Sequence, residues 1–305
     1  MIVKSAEEFI RQFNSLALPM AAPASPRAVF MVEPSGFYIS EATAVDNQYM
    51  DLSATVDPGR ALDQHRKLAE AIEQTGITVI RFPGHPETPD GVFPNNVFAT
   101  IPGRFIVGNM LVDERQRETL RRDIRTFFSD LMHYETVDLS HLDLVCELTG
   151  PLIIDRARQI GYCGMTQRVD EAGCQAMHEA FDLKLTYQFD LKPDEYHTNV
   201  VMAILAGRAC VMDASAFADP DVPKAIEQAF PGRTLQLTPE EKLAFAGNCI
   251  SLTDSDVFMS QAGVDALRPD CRQQLTDWGF KLHSVELDEL EKAGGSLRCM
   301  IAEIF

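Results

Sequence analysis

The sequence predicts an α/β fold: a five-fold pseudosymmetric α/β propeller, a ring of ββαβ units closed by pairing of the N- and C-terminal strands. Three observations predict it. Helix-like and strand-like stretches alternate along the 305 residues. Between each strand and the next helix lie two β-rich runs joined by a tight turn, which is a hairpin signature. Five polar or nucleophilic residues also recur at a nearly constant interval, at the same place in successive units.

The elements follow in order. Gly59–Thr75 places Leu62, His65, Ala69 and Ile72 on one helical face, with Gly76 as a stop. Asp113–Leu131 aligns Leu120, Ile124, Phe127 and Leu131; Asp170–Phe181 aligns Cys174, Met177 and Phe181. A fourth helix over about Ser215–Phe230 carries Val222, Ile226 and Phe230, and a fifth over Gly263–Trp278 carries Leu267, Cys271, Leu275 and Trp278. The strands after these helices are Thr78–Phe82, Met132–Leu139, Leu185–Phe189, Arg233–Leu237 and Leu282–Leu287. The hairpins pair Asn96–Ile101 with Phe105–Met110, Leu152–Ile154 with Ile160–Met165, Val200–Leu205 with Ala209–Met212, and Cys249–Leu252 with Val257–Ser260. A fifth pairing, Ala28–Val32 with Leu297–Ile304, closes the ring. The expected organisation is one α/β-propeller domain over residues 1–305, about 61 residues per unit, with an irregular N-terminal stretch absorbing the excess.

Composition narrows the function. Apolar residues make up 46% and charged residues 24%, ordinary values for a globular chain. No run of 18 apolar residues suggests a membrane span. The start, MIVKSAEEFIRQF, lacks a signal-peptide core, so a cytoplasmic protein is expected. Lys plus Arg is 27 against 45 Asp plus Glu, a net charge of −18. That charge argues against nucleic acid and anionic membrane as partners. It leaves room for a small cationic or zwitterionic amino-acid substrate. A homo-oligomer is compatible with the sequence, which does not specify one. The seven cysteines, 146, 163, 174, 210, 249, 271 and 299, form no CxxC pair. They read as reduced thiols, mostly small buried hydrophobes.

The recurring residues are Asn96, Glu147, His197, Asn248 and Cys299, at intervals of 51, 50, 51 and 51. In a closed ring of similar units, equivalent positions point to the common axis, so these five would meet in one pocket. Their chemistry is coherent. A cysteine thiolate is a strong nucleophile. A nearby histidine can protonate a leaving amine and then activate water. A carboxylate can hold N–H groups and position the histidine. Gly294-Gly295 allows close backbone approach ahead of the cysteine. There is no HExxH, GxGxxG, P-loop or GxSxG, so no metal, nucleotide or other cofactor is expected.

The motifs Asp90-Gly91-Val92-Phe93-Pro94-Asn95-Asn96, Glu147-Leu148-Thr149-Gly150 with Asp155-Arg156, Tyr196-His197-Thr198-Asn199, and Gly294-Gly295 through Arg298-Cys299 resemble those of the amidinotransferase and arginine-deiminase superfamily, the pentein fold. They are most similar to its deiminase-related branch, the citrulline utilisation hydrolases, over roughly residues 78–305. The resemblance implies catalytic roles for Cys299, His197 and Glu147, with Cys299 attacking the central carbon of a guanidino or ureido group. It implies substrate binding by Asp90 and Asn96, and α-carboxylate binding by Arg168, with Arg115 as a second candidate. Asn248 and Asn199 join the expected substrate-binding set, as does Arg298, which either tunes the thiol, contacts substrate or faces solvent. Asn96 and Asn199 stand where deiminases carry two guanidinium-clamping aspartates. An amide can donate to a neutral ureido carbonyl, which tilts the expected substrate toward citrulline, giving ornithine, ammonia and CO2. The alternative is an arginine deiminase or dimethylarginine-type hydrolase; an amidinotransferase or a non-catalytic ligand-binding ring ranks lower. The long connection Pro34–Pro58 suits either a lid or plain packing.

Overall fold

A computed structural model of the chain describes residues 1–16, 22–44 and 46–305. Five small sheets form a pentein ring. Four contain a hairpin, the fifth an antiparallel pair of strands distant in sequence; in each, one strand of the pair is joined in parallel to a third, and one or more helices cross between those two. Phe98–Ile101, Arg104–Val107 and Glu135–Asp138 make one such sheet. Met202–Leu205, Ala209–Met212 and Thr234–Gln236 make another, and Ile250–Ser251, Asp256–Ser260 and Lys281–Val285 a third. Leu152–Asp155, Ile160–Met165 and Leu185–Asp190 gain Ile2–Val3 as a fourth, parallel edge strand.

The expected closure is present. Ala302–Ile304 runs antiparallel to Ala28–Val32, with Ala302 opposite Phe30, and Ala28–Val32 pairs in parallel with Thr78–Phe82. Two strands far apart in the chain thus share one sheet. The crossover helix of this sheet, Pro58–Glu73, is N-capped by Asp57, whose carboxylate accepts from Gly59 and Arg60 N–H. It buries Leu68, Ala69 and Ile72 against the sheet, whereas Leu62 is exposed.

Three expectations change. The Asp113–Leu131 helix is broken into Asp113–Gln116, Arg117–Leu120, Arg122–Thr126 and Phe127–Leu131, with Arg121 at ψ 97°. The buried apolar side chains there are Ile124 and Phe128, while Leu120 and Leu131 are exposed. Arg115 and Glu118 are buried as an ion pair, so a charged pair takes part of the inward face where the sequence pattern expects only apolar residues. The expected Gly263–Trp278 helix divides at Leu267-Arg268 into Gln261–Ala266 and Pro269–Asp277, because Pro269 excludes helical geometry at the residue before it. Finally, the N-terminal stretch is not irregular. Ala6–Ser15 is a helix capped by Ser5, and its Phe9 stacks on Tyr187 at 4.6 Å. Ser5-Ala6-Glu7-Glu8 is a capping signature visible in the sequence. Among the described residues no helix is long and apolar enough to cross a membrane.

Candidate active site

The five recurring residues lie in the turns that lead into the first strand of each sheet, rather than in the strands. Asn96 ends the 3-10 turn Pro94–Asn96, His197 caps the helical turn Thr198–Val201, and Cys299 sits in the 3-10 turn Leu297–Met300. Each turn points its side chain to the ring axis, and all five are at most 4% exposed.

Amides surround the thiol. Asn248 Nδ2 lies 3.4 Å from Cys299 Sγ and Asn199 Nδ2 lies 3.6 Å away. Asn248 is fixed by donating to the Asn199 carbonyl and accepting from Arg298 N–H; Asn199 donates to the Thr149 carbonyl. Burial pushes the Cys299 thiol above its ordinary value, opposed chiefly by Asn248. Asn199 and Asn248 thus support the nucleophile from behind and do not line the cavity in front of it, contrary to the substrate-contact role expected for them.

Charge surrounds the carboxylate. Glu147 Oε2 accepts from His197 Nε2 at 2.8 Å and from Asn96 Nδ2 at 3.3 Å. Glu147 Oε1 accepts from Arg168 Nη1 and from Leu111 N–H, both at 3.2 Å. A carboxylate has about four acceptor sites, so none remains for substrate, and Glu147 is a positioning residue for His197 in this arrangement. Burial works against the Glu147 charge, but Arg168, His197 and Arg115 outweigh it and hold the group far below the usual carboxylate range. Burial also lowers His197, in spite of Glu147. Gly150 lets the imidazole pack flat against the turn, since a Cβ there would meet Nε2 at 2.6 Å.

The arginines divide differently from expectation. Arg168 spends its guanidinium on Asp46, the Thr43 carbonyl and Glu147. Arg115 is held by Glu118 at 2.8 and 2.9 Å and by the Phe93 carbonyl at 3.1 Å, while its Nη1 has no partner among the described residues. Both line the cavity, and Arg115 has the free donors. Arg298 does not reach the cavity. Its guanidinium turns to the Ile301 carbonyl and Glu303, so the expected substrate contact is withdrawn, although its charge still favours the Cys299 thiolate.

The cavity in front of Cys299 encloses about 360 Å³, open solvent at its mouth included. Asp90, Asn96, His197 and Cys299 line it from the ring. Thr43 and Asn47 cover it from the Pro34–Pro58 connection, which therefore acts as a roof. Asn47 Nδ2 reaches the Gly294 carbonyl at 3.4 Å, and Tyr196 OH donates to the same oxygen at 2.7 Å. Gly294, at φ 75°, leaves no room for a Cβ beneath Asn47. Two acceptors in the cavity wall have no partner among the described residues: Asp90 Oδ1 and Asn96 Oδ1. The roof residues and Phe93 were not singled out from the sequence, since a Thr or Asn in a long loop carries no chemical signature. Among the described residues no group of three or more His, Cys, Asp or Glu side chains is arranged to hold a metal ion.

A ring of five ββαβ units with Cys, His and Glu converging on its axis places the protein in the amidinotransferase, or pentein, superfamily. The family model described as "N,N dimethylarginine dimethylhydrolase, eukaryotic" matches residues 33–305, and the chain belongs to that family of hydrolases. It is 24% identical over 240 residues to the uncharacterized protein YkgA of Bacillus subtilis, covering 78% of each chain. It is also 24% identical over 249 residues to AgrE of Nostoc, a bifunctional arginine dihydrolase/ornithine cyclodeaminase, covering 80% of this chain and 33% of AgrE. Among solved structures, the N-terminal domain of ArgZ, a cyanobacterial arginine dihydrolase, was captured with substrate; it superposes with a TM-score of 0.79 at 20% identity, covering 91% of this chain and 97% of that one. A dimethylarginine dimethylaminohydrolase adduct with S-methyl-L-thiocitrulline gives 0.72 at 18% identity, covering 92% and 100%.

Proposed function

We propose that the protein is a cysteine-dependent hydrolase of a guanidino amino acid, arginine or an N-methylated arginine, rather than of citrulline. One observation carries this reading: the cavity that Cys299 lines also holds two acceptors without a partner among the described residues, Asp90 Oδ1 and Asn96 Oδ1. A guanidinium is all donors and needs acceptors. The ureido expectation relied on free amide N–H groups at Asn96 and Asn199. Those point instead to Glu147, Thr149 and Cys299, so they are not free for a substrate carbonyl. The dimethylarginine family and the arginine-dihydrolase neighbours support the same choice.

The steps follow from the geometry. The substrate cation enters beside Asp90 and Asn96, with its α-carboxylate toward Arg115 Nη1. A cation next to a buried thiol favours the thiolate. The Cys299 thiol passes its proton to His197 as the sulfur bonds to the guanidino carbon, and His197 gives that proton to the departing nitrogen as the C–N bond breaks. Water, deprotonated by His197, then attacks the S-linked carbon, the C–S bond breaks, and a ureido product leaves. The same reading takes residues 1–305 as one domain, on the pairing of residues 28–32 with 302–304.

Kinetics on arginine, dimethylarginine and citrulline test the proposal. One of the two guanidino substrates should show the highest kcat/KM, and Asp90→Asn should lower that value by roughly 10–100-fold, the worth of a hydrogen bond to a charged group. If citrulline is the best substrate, or Asp90→Asn leaves the guanidino rate unchanged, the reading is wrong.

A further inference from the structure

The strands that follow Glu147, His197, Asn248 and Cys299 enclose a second cavity, further along the ring axis. It holds about 520 Å³, open solvent at its mouth included. None of its lining residues lines the cavity in front of the thiol. Leu152, Met202 and Ile204 give it apolar walls, and Arg156, Arg298 and Glu303 give it charge. Arg298 Nη2 lies 3.0 Å and Arg156 Nη2 3.4 Å from the same oxygen, Glu303 Oε2. Two guanidinium groups therefore share one carboxylate, leaving a formal excess of one positive charge. Both arginine side chains are only 10% exposed. Arg156 is further fixed over the Phe305 ring at 4.4 Å and by the Thr100 carbonyl at 3.1 Å. The Ser251 hydroxyl, also in the wall, accepts from Ala206 N–H at 2.7 Å, and no acceptor for its own proton is in place among the described residues. This buried positive excess stands in a chain of net charge −18. A buried cation without a matching anion is unfavourable, and planar guanidinium groups fit oxyanions.

We propose that this cavity is a binding site for a small oxyanion, a carboxylate or phosphate group, held by Arg156, Arg298 and the Ser251 hydroxyl. The site stands whether or not the reaction assigned to Cys299 is correct, because it shares no lining residue with that cavity.

Thermal unfolding and titration calorimetry of the full chain test it, with sodium phosphate and sodium acetate used separately at pH 7 and sodium chloride at matched ionic strength as reference. At least one oxyanion should raise the midpoint by roughly 2–4 °C beyond chloride; which one does so identifies the ligand group. Arg156→Gln should abolish the shift. Glu303→Gln, which removes the competing carboxylate, should tighten binding about tenfold. Neither oxyanion exceeding chloride, or an undiminished shift in Arg156→Gln, overturns the proposal. If Arg156→Gln does not fold, Glu303→Gln decides: unchanged or weaker binding than the wild type overturns it.

Discussion

Glu147 and Cys299 face the same ring axis and are both buried, yet their surroundings are opposite. Glu147 sits among Arg168, His197 and Arg115 and keeps its charge. Among the described residues the Cys299 sulfur is hydrogen-bonded by neutral amides, and burial holds it toward the protonated thiol. A permanent charge in the interior needs permanent partners. A charge required only during the reaction is better supplied when the substrate arrives, since a resting thiolate in a closed pocket would otherwise need its own cation. On the proposed reaction, the carboxylate side carries its partners at rest, while the thiol side gains its cation from the substrate.

The largest effects should come from the groups that touch the reacting carbon. Cys299→Ala should remove turnover by ~10⁴-fold or more with the circular dichroism spectrum unchanged, and His197→Ala should cost about 10²–10⁴. Ammonia or dimethylamine release from the preferred guanidino substrate measures both, and near-normal release by either variant would break the distinction between the two sides.

Glu147→Gln comes next, and its effect should fall on stability as well as rate. It strands the Arg168 cation and weakens the hold on His197. Denaturant unfolding should show a loss of roughly 3–5 kcal/mol, the usual consequence of breaking a buried pair. The sign for pH follows from the direction of the shift. A carboxyl held below its ordinary value stabilises the fold above that ordinary value, and the contribution is lost only as pH falls toward the folded-state value. The wild type should therefore keep this contribution through mild acid, and Glu147→Gln should flatten the acid limb of its stability profile.

The smallest effect should be on the amide side. Asn248→Ala removes a neutral donor to the thiol, so iodoacetamide should alkylate Cys299 roughly 2–10-fold more slowly at fixed pH, the range for one hydrogen bond. In the free wild type the alkylation rate should still be climbing as pH passes the ordinary thiol range, because burial raises the group. A bound guanidino analogue that leaves the sulfur accessible should shift that profile to lower pH. A wild-type thiol that is fully ionised at neutral pH without ligand would contradict the comparison.

Much of this was legible before any coordinates. The alternation of elements gave the sheets, and the interval of 50 or 51 residues brought Asn96, Glu147, His197, Asn248 and Cys299 to one axis. Closure by residues 28–32 and the C-terminal stretch 297–304 could be read from the two leftover runs, although only 302–304 is strand and 297–300 is the 3-10 turn that carries Cys299. The broken helix at 113–131 could not, since Leu120, Ile124, Phe127 and Leu131 keep a helical rhythm across the break at Arg121.

The sequence by itself determined which residue types meet at the centre, because a repeat in a closed ring converts equal spacing into a shared position. The tertiary structure decided which atom of each residue faces the cavity. Asn96 shows its oxygen because Glu147 claims its N–H, and Arg168 is engaged because Asp46 descends from the roof. Arg298, one residue from the nucleophile, points the other way to Glu303. These choices follow from charge compensation among groups distant along the chain, and no local pattern encodes them.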